Sequence, residues 1–148
     1  MIREMTQKDK EIFLCMCQEF YRSSAVLHEI PAAYMEETFR RVTSGSPYAR
    51  GYILSKDEHS EPSGYLLTSI TYSNEVGGLV LWLEELYLRE SARGLGLGSE
   101  AIEYVKKNRP ADVKRLRLEV TAHNSGAIRL YERLGYEQLD YVQMVQDF

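Results

Sequence analysis

The segment from Arg93 to Ser99, RGLGLGS, combines residue types suited to binding a phosphate group. Its glycines let the backbone approach an anion closely, because no Cβ atom stands in the way. The apolar stretch from Leu79 to Leu88 before it is typical of a buried strand, and apolar residues recur at helical spacing from Ala101 to Val105 after it. A helix that begins at the glycines would offer unpaired backbone N–H groups to an anion, and Arg93 would add a charge-assisted contact.

Two common phosphate loops do not fit this spacing. A P-loop has a Lys directly after its second glycine, and no glycine of this chain is followed by Lys in that register. A dinucleotide fold has the pattern Gly-x-Gly-x-x-Gly, whereas here the third glycine, Gly98, comes one position early and Ser99 holds the required place. The segment also follows several hairpin-like strands. Both nucleotide interpretations are therefore poor.

The spacing Arg93-x-x-Gly96-x-Gly98 resembles the Gln/Arg-x-x-Gly-x-Gly/Ala motif of the Gcn5-related N-acetyltransferase (GNAT) superfamily. Its context strengthens the resemblance, since glycine-rich turns alone are common. The segment Leu83–Leu88 is similar to the fourth strand of that family, and the segment from Asn124 to Tyr136 is similar to its second conserved block.

Two residues depart from the family pattern. Glu90 stands where a proline is frequent and Ala92 where an aromatic residue is frequent, both in the approach to the glycine-rich segment. The close resemblance runs from Leu79 to Tyr136. It implies an α/β fold for a single domain over residues 1–148, with a mixed, largely antiparallel central sheet, about four flanking helices, and fourth and fifth strands that splay apart.

The resemblance also implies N-acetyltransfer with acetyl-CoA as co-substrate and no metal. The CoA pyrophosphate would lie on the amides of the glycine-rich segment, and the pantetheine arm would enter between the splayed strands. A backbone amide near Leu86 or Leu88 would polarise the thioester carbonyl as a one-donor oxyanion hole. Asn124 would cap a helix and also contact the CoA arm. The residues implied for CoA binding are Leu86, Tyr87, Leu88, Arg93, Gly94, Leu95, Gly96, Leu97, Gly98, Ser99, Asn124 and Tyr131.

Glu84 and Glu85 interrupt an apolar strand with two adjacent carboxylates. Regular alternation along a strand predicts that Glu84 shares a face with Leu86. It predicts that Glu85 shares the other face with Leu83 and Tyr87. Burial raises a carboxylate pKa towards the range useful for a general base, and an amine acceptor arrives as an ammonium that must lose a proton. Related enzymes often have the base at the position of Glu84, so we take Glu84 as the first candidate and Glu85 as the second, with a structural or electrostatic role as the alternative.

Tyr131 lies on the apolar face of the last predicted helix, where a core aromatic residue is expected. The family match implies that its hydroxyl protonates the departing thiolate. Direct attack of the amine in a ternary complex would need no covalent acetyl-enzyme, and Cys15 and Cys17 are interpreted as small apolar residues in or near a core. A non-catalytic acyl-CoA-binding sensor or partner-binding domain is the alternative function, and a different acyl donor stays open.

Composition sets the broad class of protein. The chain has 148 residues, 44% apolar and 27% charged, which is ordinary for a soluble globular domain. Its net charge of −4 predicts no broad attraction to nucleic acid or anionic lipid. The N-terminus runs into a charged segment unlike a signal peptide, and no apolar run approaches the roughly 20 residues of a membrane span, so we expect a cytoplasmic protein. His28, His59 and His123 form no metal-ligand spacing.

The remaining periodicities predict the element order βαα-βββ-α-β-α-β. Strands are predicted at about Ile2–Met5, Gly51–Ser55, Gly64–Thr71, Leu79–Leu88, Leu116–Thr121 and Tyr136–Val145. Helices are predicted from a Thr6 cap to about Tyr21, from Pro31 to Arg41, from the glycine-rich segment to about Asn108, and from an Asn124 cap to a closing Gly135.

The acceptor would meet the less patterned N-terminal half of the chain. Tyr21, His28, Tyr34 and Tyr72 are candidate lining residues there, although each also fits an ordinary surface or core position. Two carboxylates near the reaction centre favour a cationic amine, whether a small molecule, a polyamine or a peptide. We expect no nucleic-acid or membrane partner, and the family resemblance makes a homodimer a candidate assembly.

Overall fold

A five-stranded sheet with helices on both faces forms the centre of the structure. It is a computed structural model that describes all 148 residues. The strands are β1 (Ile2–Glu4), β2 (Ala49–Leu54), β3 (Gly64–Ser73), β4 (Gly78–Leu88) and β5 (Val113–Leu118), and the helices are α1 (Lys10–Tyr21), α2 (Ala32–Thr43), α3 (Leu97–Asn108) and α4 (Ser125–Arg133). The strands follow chain order across the sheet, and all neighbours are antiparallel except β4 and β5, which are parallel. This is the expected α/β fold with a mixed, largely antiparallel sheet.

The two sheet faces build two separate hydrophobic clusters. On one face, α1 and α2 pack through residues such as Phe13 and Phe39 against β2 and β3. The rings of Phe13 and Tyr65 meet edge to face with centroids 5.1 Å apart. On the other face, α3 packs through Ala101 and Ile102, and α4 joins the edge of the same cluster. Helices therefore cover part of each face, while the face at the Ser69–Tyr72 end of β3 stays partly open.

A β-bulge interrupts β4 at the two glutamates. Glu85 pairs with Leu67, whereas Leu83 pairs with the next residue of β3, Thr68, so that β4 has one extra residue at Glu84. Such a bulge bends the strand and changes which face the later side chains reach. From this point β4 also loses its other neighbour, because its pairing with β5 covers only Leu79–Leu83. The expected splaying of the fourth and fifth strands is therefore confirmed.

The predicted helices are all present. A 3₁₀ turn at Gln7–Asp9 precedes α1, and the Thr6 N–H donates to Asp9 Oδ2 (2.7 Å) at its start. Asn124 caps α4 as predicted, since its Oδ1 accepts from the Ala127 N–H (3.2 Å). At the other end of α4, Gly135 N–H donates to the Glu132 carbonyl and Tyr136 N–H to the Tyr131 carbonyl, which is a Schellman ending.

The predicted strand from Tyr136 to Val145 is wrong, and β5 begins and ends earlier than predicted. Residues 136–148 form no regular structure and pair with no strand, although β5 has a free edge. Val142 and Met144 are each 91% exposed. Strand-like composition alone does not produce a strand, because a strand is stable only when a neighbour takes its hydrogen bonds and covers its apolar side chains.

Candidate active site

The end of β4 has one open edge. The Arg89 N–H bonds back to the Ser63 carbonyl on the β3 side (2.8 Å), so alternation directs the backbone groups of Leu86 and Leu88 towards the opposite side, where β5 has ended. There the Leu88 carbonyl accepts from Arg93 Nε (2.9 Å). The Leu86 backbone has no strand partner at this edge, which leaves main-chain donors and acceptors free to bind an extended ligand.

The glycine-rich segment ends beside that edge and begins α3. Gly94 and Gly96 have φ values of 74° and 87°, which other residues rarely adopt, and a Cβ built on either would meet no atom within 4 Å. The backbone N–H groups from Gly94 to Ser99 donate to no acceptor of the chain, and no side chain caps the helix. Free donors, a helix N-terminus and open space around the glycines form a cradle that suits an anion such as a pyrophosphate.

Gly98 lies where the cradle, β4 and α4 meet. A Cβ built on it would lie 3.6 Å from Leu88 Cδ1, 3.6 Å from Leu130 Cδ2 and 3.8 Å from Leu86 Cδ2. The open edge of β4 and the helix that carries Tyr131 are therefore neighbours across Gly98. Arg93, whose Nε is bound to the Leu88 carbonyl, keeps its side chain exposed at the mouth of this gap.

Tyr131 lies half-buried at the edge of this gap. Its ring packs against Tyr136, with centroids 5.8 Å apart, and both rings join the α3 cluster. Burial raises the pKa of Tyr131, so its hydroxyl keeps its proton at neutral pH. The buried Tyr136 hydroxyl has no hydrogen-bond partner, and burial raises its pKa to about 12.

Glu85 lies inside a cluster of phenols on the other side of β4. The Tyr21 hydroxyl donates to its Oε1 (2.6 Å) and the Tyr65 hydroxyl donates to its Oε2 (2.7 Å). Burial raises the pKa of Glu85, the two hydroxyls oppose that rise, and the charge of Glu84 adds to it. The pKa of the Glu85 carboxyl is thus above its ordinary range, and both of its oxygens are occupied.

Glu84 lies on the same face as Glu85, which corrects the predicted assignment. Its Oε1 accepts from the hydroxyl of Ser69, and Ser69 is on the same side of β3 as Tyr65, the partner of Glu85. Leu83, predicted to share a face with Glu85, packs instead in the α3 cluster. The bulge is the reason, because the extra residue reverses the alternation between Leu83 and Glu85. Glu84 is exposed, and its second oxygen has no partner.

Cys17 is buried beside this cluster, as expected for a core residue, and Cys15 is exposed. Burial first, and then the charge of Glu85, raise the pKa of the Cys17 thiol to about 12. A thiol held in that state is a poor nucleophile. Cys17 is therefore not suited to carrying an acetyl group.

Of the four predicted acceptor-lining residues, only Tyr21 bonds to either glutamate, and its hydroxyl donates to Glu85. His28 is exposed, Tyr34 and Tyr72 are 62% and 70% exposed, and none of the three bonds to either carboxylate. Tyr65 was missed, although its place in β3 opposite Tyr87 brings it to Glu85.

A second polar group joins α1 to the end of β4, and sequence reasoning missed it too. Glu19 accepts from the Tyr87 hydroxyl (2.7 Å) and pairs with Arg89 (3.1 Å). Burial first, and then the bond to Glu19, raise the pKa of Tyr87 to about 12. No single segment could reveal this group, since its members lie about half the chain apart. It holds α1, and with it Tyr21, against the strand that carries both glutamates.

The chain belongs to the acetyltransferase (GNAT) family, whose sequence model matches residues 14–136. It is 33% identical over 96 residues to the uncharacterized N-acetyltransferase YjgM of Escherichia coli, a match that covers 56% of this chain and 57% of that protein. It is 25% identical over 155 residues to the uncharacterized N-acetyltransferase MJ1207 of Methanocaldococcus jannaschii, covering 96% of this chain and 62% of that protein. The chain thus spans less than two thirds of the length of each of these relatives.

The same fold occurs in a solved structure of AAC(6')-Iy in complex with the bisubstrate analogue CoA-S-monomethyl-acetylneamine. The two share a TM-score of 0.82 at 16% identity, and the match covers 100% of this chain and 97% of that one. At this identity the likeness establishes the fold. In the present chain, no helix is long and apolar enough to cross a membrane, and no group of three or more His, Cys, Asp or Glu side chains is arranged to hold a metal ion.

The raised pKa of Glu85 predicts how Glu85→Gln changes stability with pH. The folded protein binds the proton of the Glu85 carboxyl more tightly than the unfolded chain does. The wild type therefore loses stability as pH rises from the ordinary pKa of glutamate, near 4.3, through the raised pKa of Glu85. Glutamine cannot ionise, so the Tm of the variant should rise relative to wild type by a few degrees over that pH range. Thermal unfolding followed by circular dichroism at several pH values measures this difference.

Glu100→Gln, in the exposed first turn of α3, is the matched control for loss of one negative charge. If the Tm difference between Glu85→Gln and wild type does not change with pH, or equals that of Glu100→Gln, the assignment of Glu85 as a buried carboxylate with a raised pKa is contradicted.

Proposed function

We propose that the protein is an N-acetyltransferase that moves an acetyl group from acetyl-CoA to a primary amine by direct attack in a ternary complex. One observation carries the proposal: the open backbone edge at Leu86 lies beside a cradle of unpaired amides at the start of α3. An extended thioester with a pyrophosphate at one end needs both features together. Family membership and the two relatives named as N-acetyltransferases support the same chemistry.

The amides of Gly94, Gly96 and Ser99, with their neighbours in the segment, would bind the CoA pyrophosphate. Arg93 would contact it with the nitrogens that its bond to the Leu88 carbonyl leaves free. The backbone of Leu86 and Leu88 would bind the pantetheine arm, with Tyr87 between them turned to the other side. Leu95 is exposed in the cradle and Leu97 is buried beneath it, so Leu95 would meet the ligand while Leu97 anchors the turn.

Glu84 is the proposed general base. It is exposed and has a free carboxylate oxygen, so an incoming ammonium reaches it directly or through one water. Glu85 has both oxygens bound to tyrosine hydroxyls and instead adds negative charge that attracts the ammonium. These contacts thus favour Glu84, the first candidate from the sequence, as the base. The two glutamates lie on one face of the sheet, however, and not on opposite faces as the sequence predicted.

The reaction needs few groups. Glu84 takes one proton from the ammonium, and the free amine attacks the thioester carbonyl while a backbone N–H at Leu86 holds the developing oxyanion. As the new N–C bond forms and the C–S bond breaks, Tyr131 gives its proton to the departing sulfur and regains one from the nitrogen through solvent. The products are an N-acetyl amide, CoA and one proton, which leaves Glu84 for solvent.

Acetyl-CoA with a panel of primary amines tests the proposal, with released thiol as the readout. Acetyl-dependent thiol release that requires an amine, with the N-acetyl product identified by mass spectrometry, is the expected result. Tight CoA binding by calorimetry with no transfer to any amine would favour the alternative, a non-catalytic acyl-CoA sensor. Propionyl-CoA run beside acetyl-CoA tests the choice of acyl donor.

Tyr131→Phe removes the proposed acid while keeping the ring that packs on Tyr136. Turnover should fall about a hundredfold, because general acid catalysis contributes on that order, with little change in acetyl-CoA affinity. Steady-state rates and calorimetry of CoA binding measure the two quantities. Tyr104→Phe, on α3 against Tyr52, is the matched control. Unchanged turnover in Tyr131→Phe would remove the acid from the mechanism.

Glu84→Gln should lower turnover about a hundredfold at neutral pH, since the amine then arrives protonated. The deficit should narrow as pH approaches the amine pKa, about 10.4 for a lysine-like group, because the free amine no longer needs a base. Rate profiles across pH for wild type and variant measure this convergence, with Glu75→Gln, which loses a carboxylate bonded to Arg115, as control. If turnover of Glu84→Gln is lower than that of wild type by the same factor at every pH, or if only Glu85→Gln lowers turnover, Glu84 is excluded as the base.

A further inference from the structure

We propose that the acceptor is an amine that also carries a carboxylate, and that Arg117 binds this carboxylate. The inference rests on the proposed function and names the substrate class of the same site. It comes from the juxtaposition of two side chains on one face of the sheet, where β4 and β5 part. One is Arg117, a cation without a counterion that stacks on Trp82, and the other is Glu84.

Arg117 is held over the indole of Trp82. Its Cζ lies 4.5 Å from the ring centroid, within the range of a cation–π contact. The ring is itself fixed, because Trp82 Nε1 donates to Thr71 Oγ1 (3.1 Å). Arg117 pairs with Trp82 in the parallel register, one position before the pairing ends at Leu83 and Leu118. The guanidinium therefore lies at the mouth of the gap between the two strands.

The guanidinium of Arg117 has no carboxylate partner. It is half-buried, yet it forms no ion pair and donates no hydrogen bond within the chain. Arg115, two residues earlier on the same face of β5, shows the contrast, since it donates to Glu75 Oε2 at 2.9 Å. A guanidinium stacked on an aromatic face keeps the N–H groups at its edge available, and their fork matches a carboxylate.

Glu84 lies on the same face of the sheet as Arg117. Ser69 supports this placement. It pairs with Trp82, on which Arg117 stacks, and its hydroxyl donates to the Glu84 carboxylate. Glu84 comes two positions after Trp82, the residue on which the Arg117 guanidinium stacks. A small molecule with an amine at one end and a carboxylate at the other, such as an ω-amino acid, would place its amine at Glu84 and its carboxylate at Arg117.

The opposite charges of Glu84 and Arg117 select a ligand with an amine at one end and a carboxylate at the other. An ammonium alone is attracted by Glu84 and Glu85 but repelled by Arg117, so a polyamine meets like charge at its second end. A ligand with opposite charges at its ends satisfies both, and its carboxylate supplies the missing partner of the guanidinium. Arg117 is therefore a specificity-determining residue that takes no part in the proton transfers.

Matched acceptors that differ only in the carboxylate test the proposal. δ-Aminovalerate, its amide and n-pentylamine present the same primary amine, and initial rates of thiol release give kcat/KM for each. Wild type should prefer the acid over the amide by about tenfold or more. Arg117→Gln should bring the three acceptors within about twofold of one another, chiefly by raising KM for the acid. Arg115→Gln, which loses an equal charge further from Glu84, should keep the preference.

Intrinsic fluorescence gives a second readout that does not depend on turnover. Trp82 is the only tryptophan of the chain, so emission during titration with δ-aminovalerate in the presence of CoA reports on the surroundings of Trp82, where Arg117 is stacked. A saturable change with the acid, absent with its amide and lost in Arg117→Gln, is expected. Circular dichroism and Tm of each variant establish that it is folded.

The outcomes separate the two proposals. Acid and amide used equally well by wild type, or an acid preference that survives Arg117→Gln, would overturn the carboxylate site while leaving acetyl transfer in place. If no amine is acetylated, the proposed function fails, and the fluorescence titration alone decides whether Arg117 binds a carboxylate. Absence of both the rate preference and the fluorescence change would overturn this inference outright.

Discussion

One extra residue in β4, between the positions that pair with Leu67 and Thr68, decides which side of the sheet each later side chain of that strand reaches. Without it, regular alternation would direct Glu84 and Glu85 to opposite faces. With it, both carboxylates lie on one face, and the leucines that follow return to the α3 cluster. β4 bends at the same place where β5 stops pairing with it. A single local irregularity thus creates both the charged face and the open backbone edge.

The bulge leaves a carboxylate in an apolar surrounding, which is costly unless its oxygens are hydrogen-bonded. Tyr21 from α1 and Tyr65 from β3 supply those bonds to Glu85. The Glu19–Arg89 pair then fixes α1 to the end of β4. The polar groups around the bulge therefore also join a helix to the sheet, and a change that removes one hydroxyl would disturb the position of α1 as well as the charge of the site.

Local sequence signals predicted most helices and strands of this fold well, because the start and end of an element depend mainly on residues that are adjacent in the sequence. The glycines before α3, the Asn124 cap and the Gly135 ending of α4 were all predictable from turn and capping chemistry. The facial arrangement of Glu84 and Glu85 was not, since no residue type marks the bulge and its register is set by pairing with β3. Pairings such as Tyr21 with Glu85, far apart in the chain, need the assembled structure.

The sheet itself separates the two substrates of the proposed reaction. The donor would lie at the strand edge, in the gap that β5 leaves, and bind main-chain groups whose direction alternation sets. The acceptor would approach from the face that carries Glu84, Glu85 and Arg117, and bind side chains. The donor site therefore depends on backbone geometry, which tolerates many side chains, whereas the acceptor site depends on a few named charges. Substitution at Glu84 or Arg117 would change what is acetylated or how fast, and leave the CoA cradle intact.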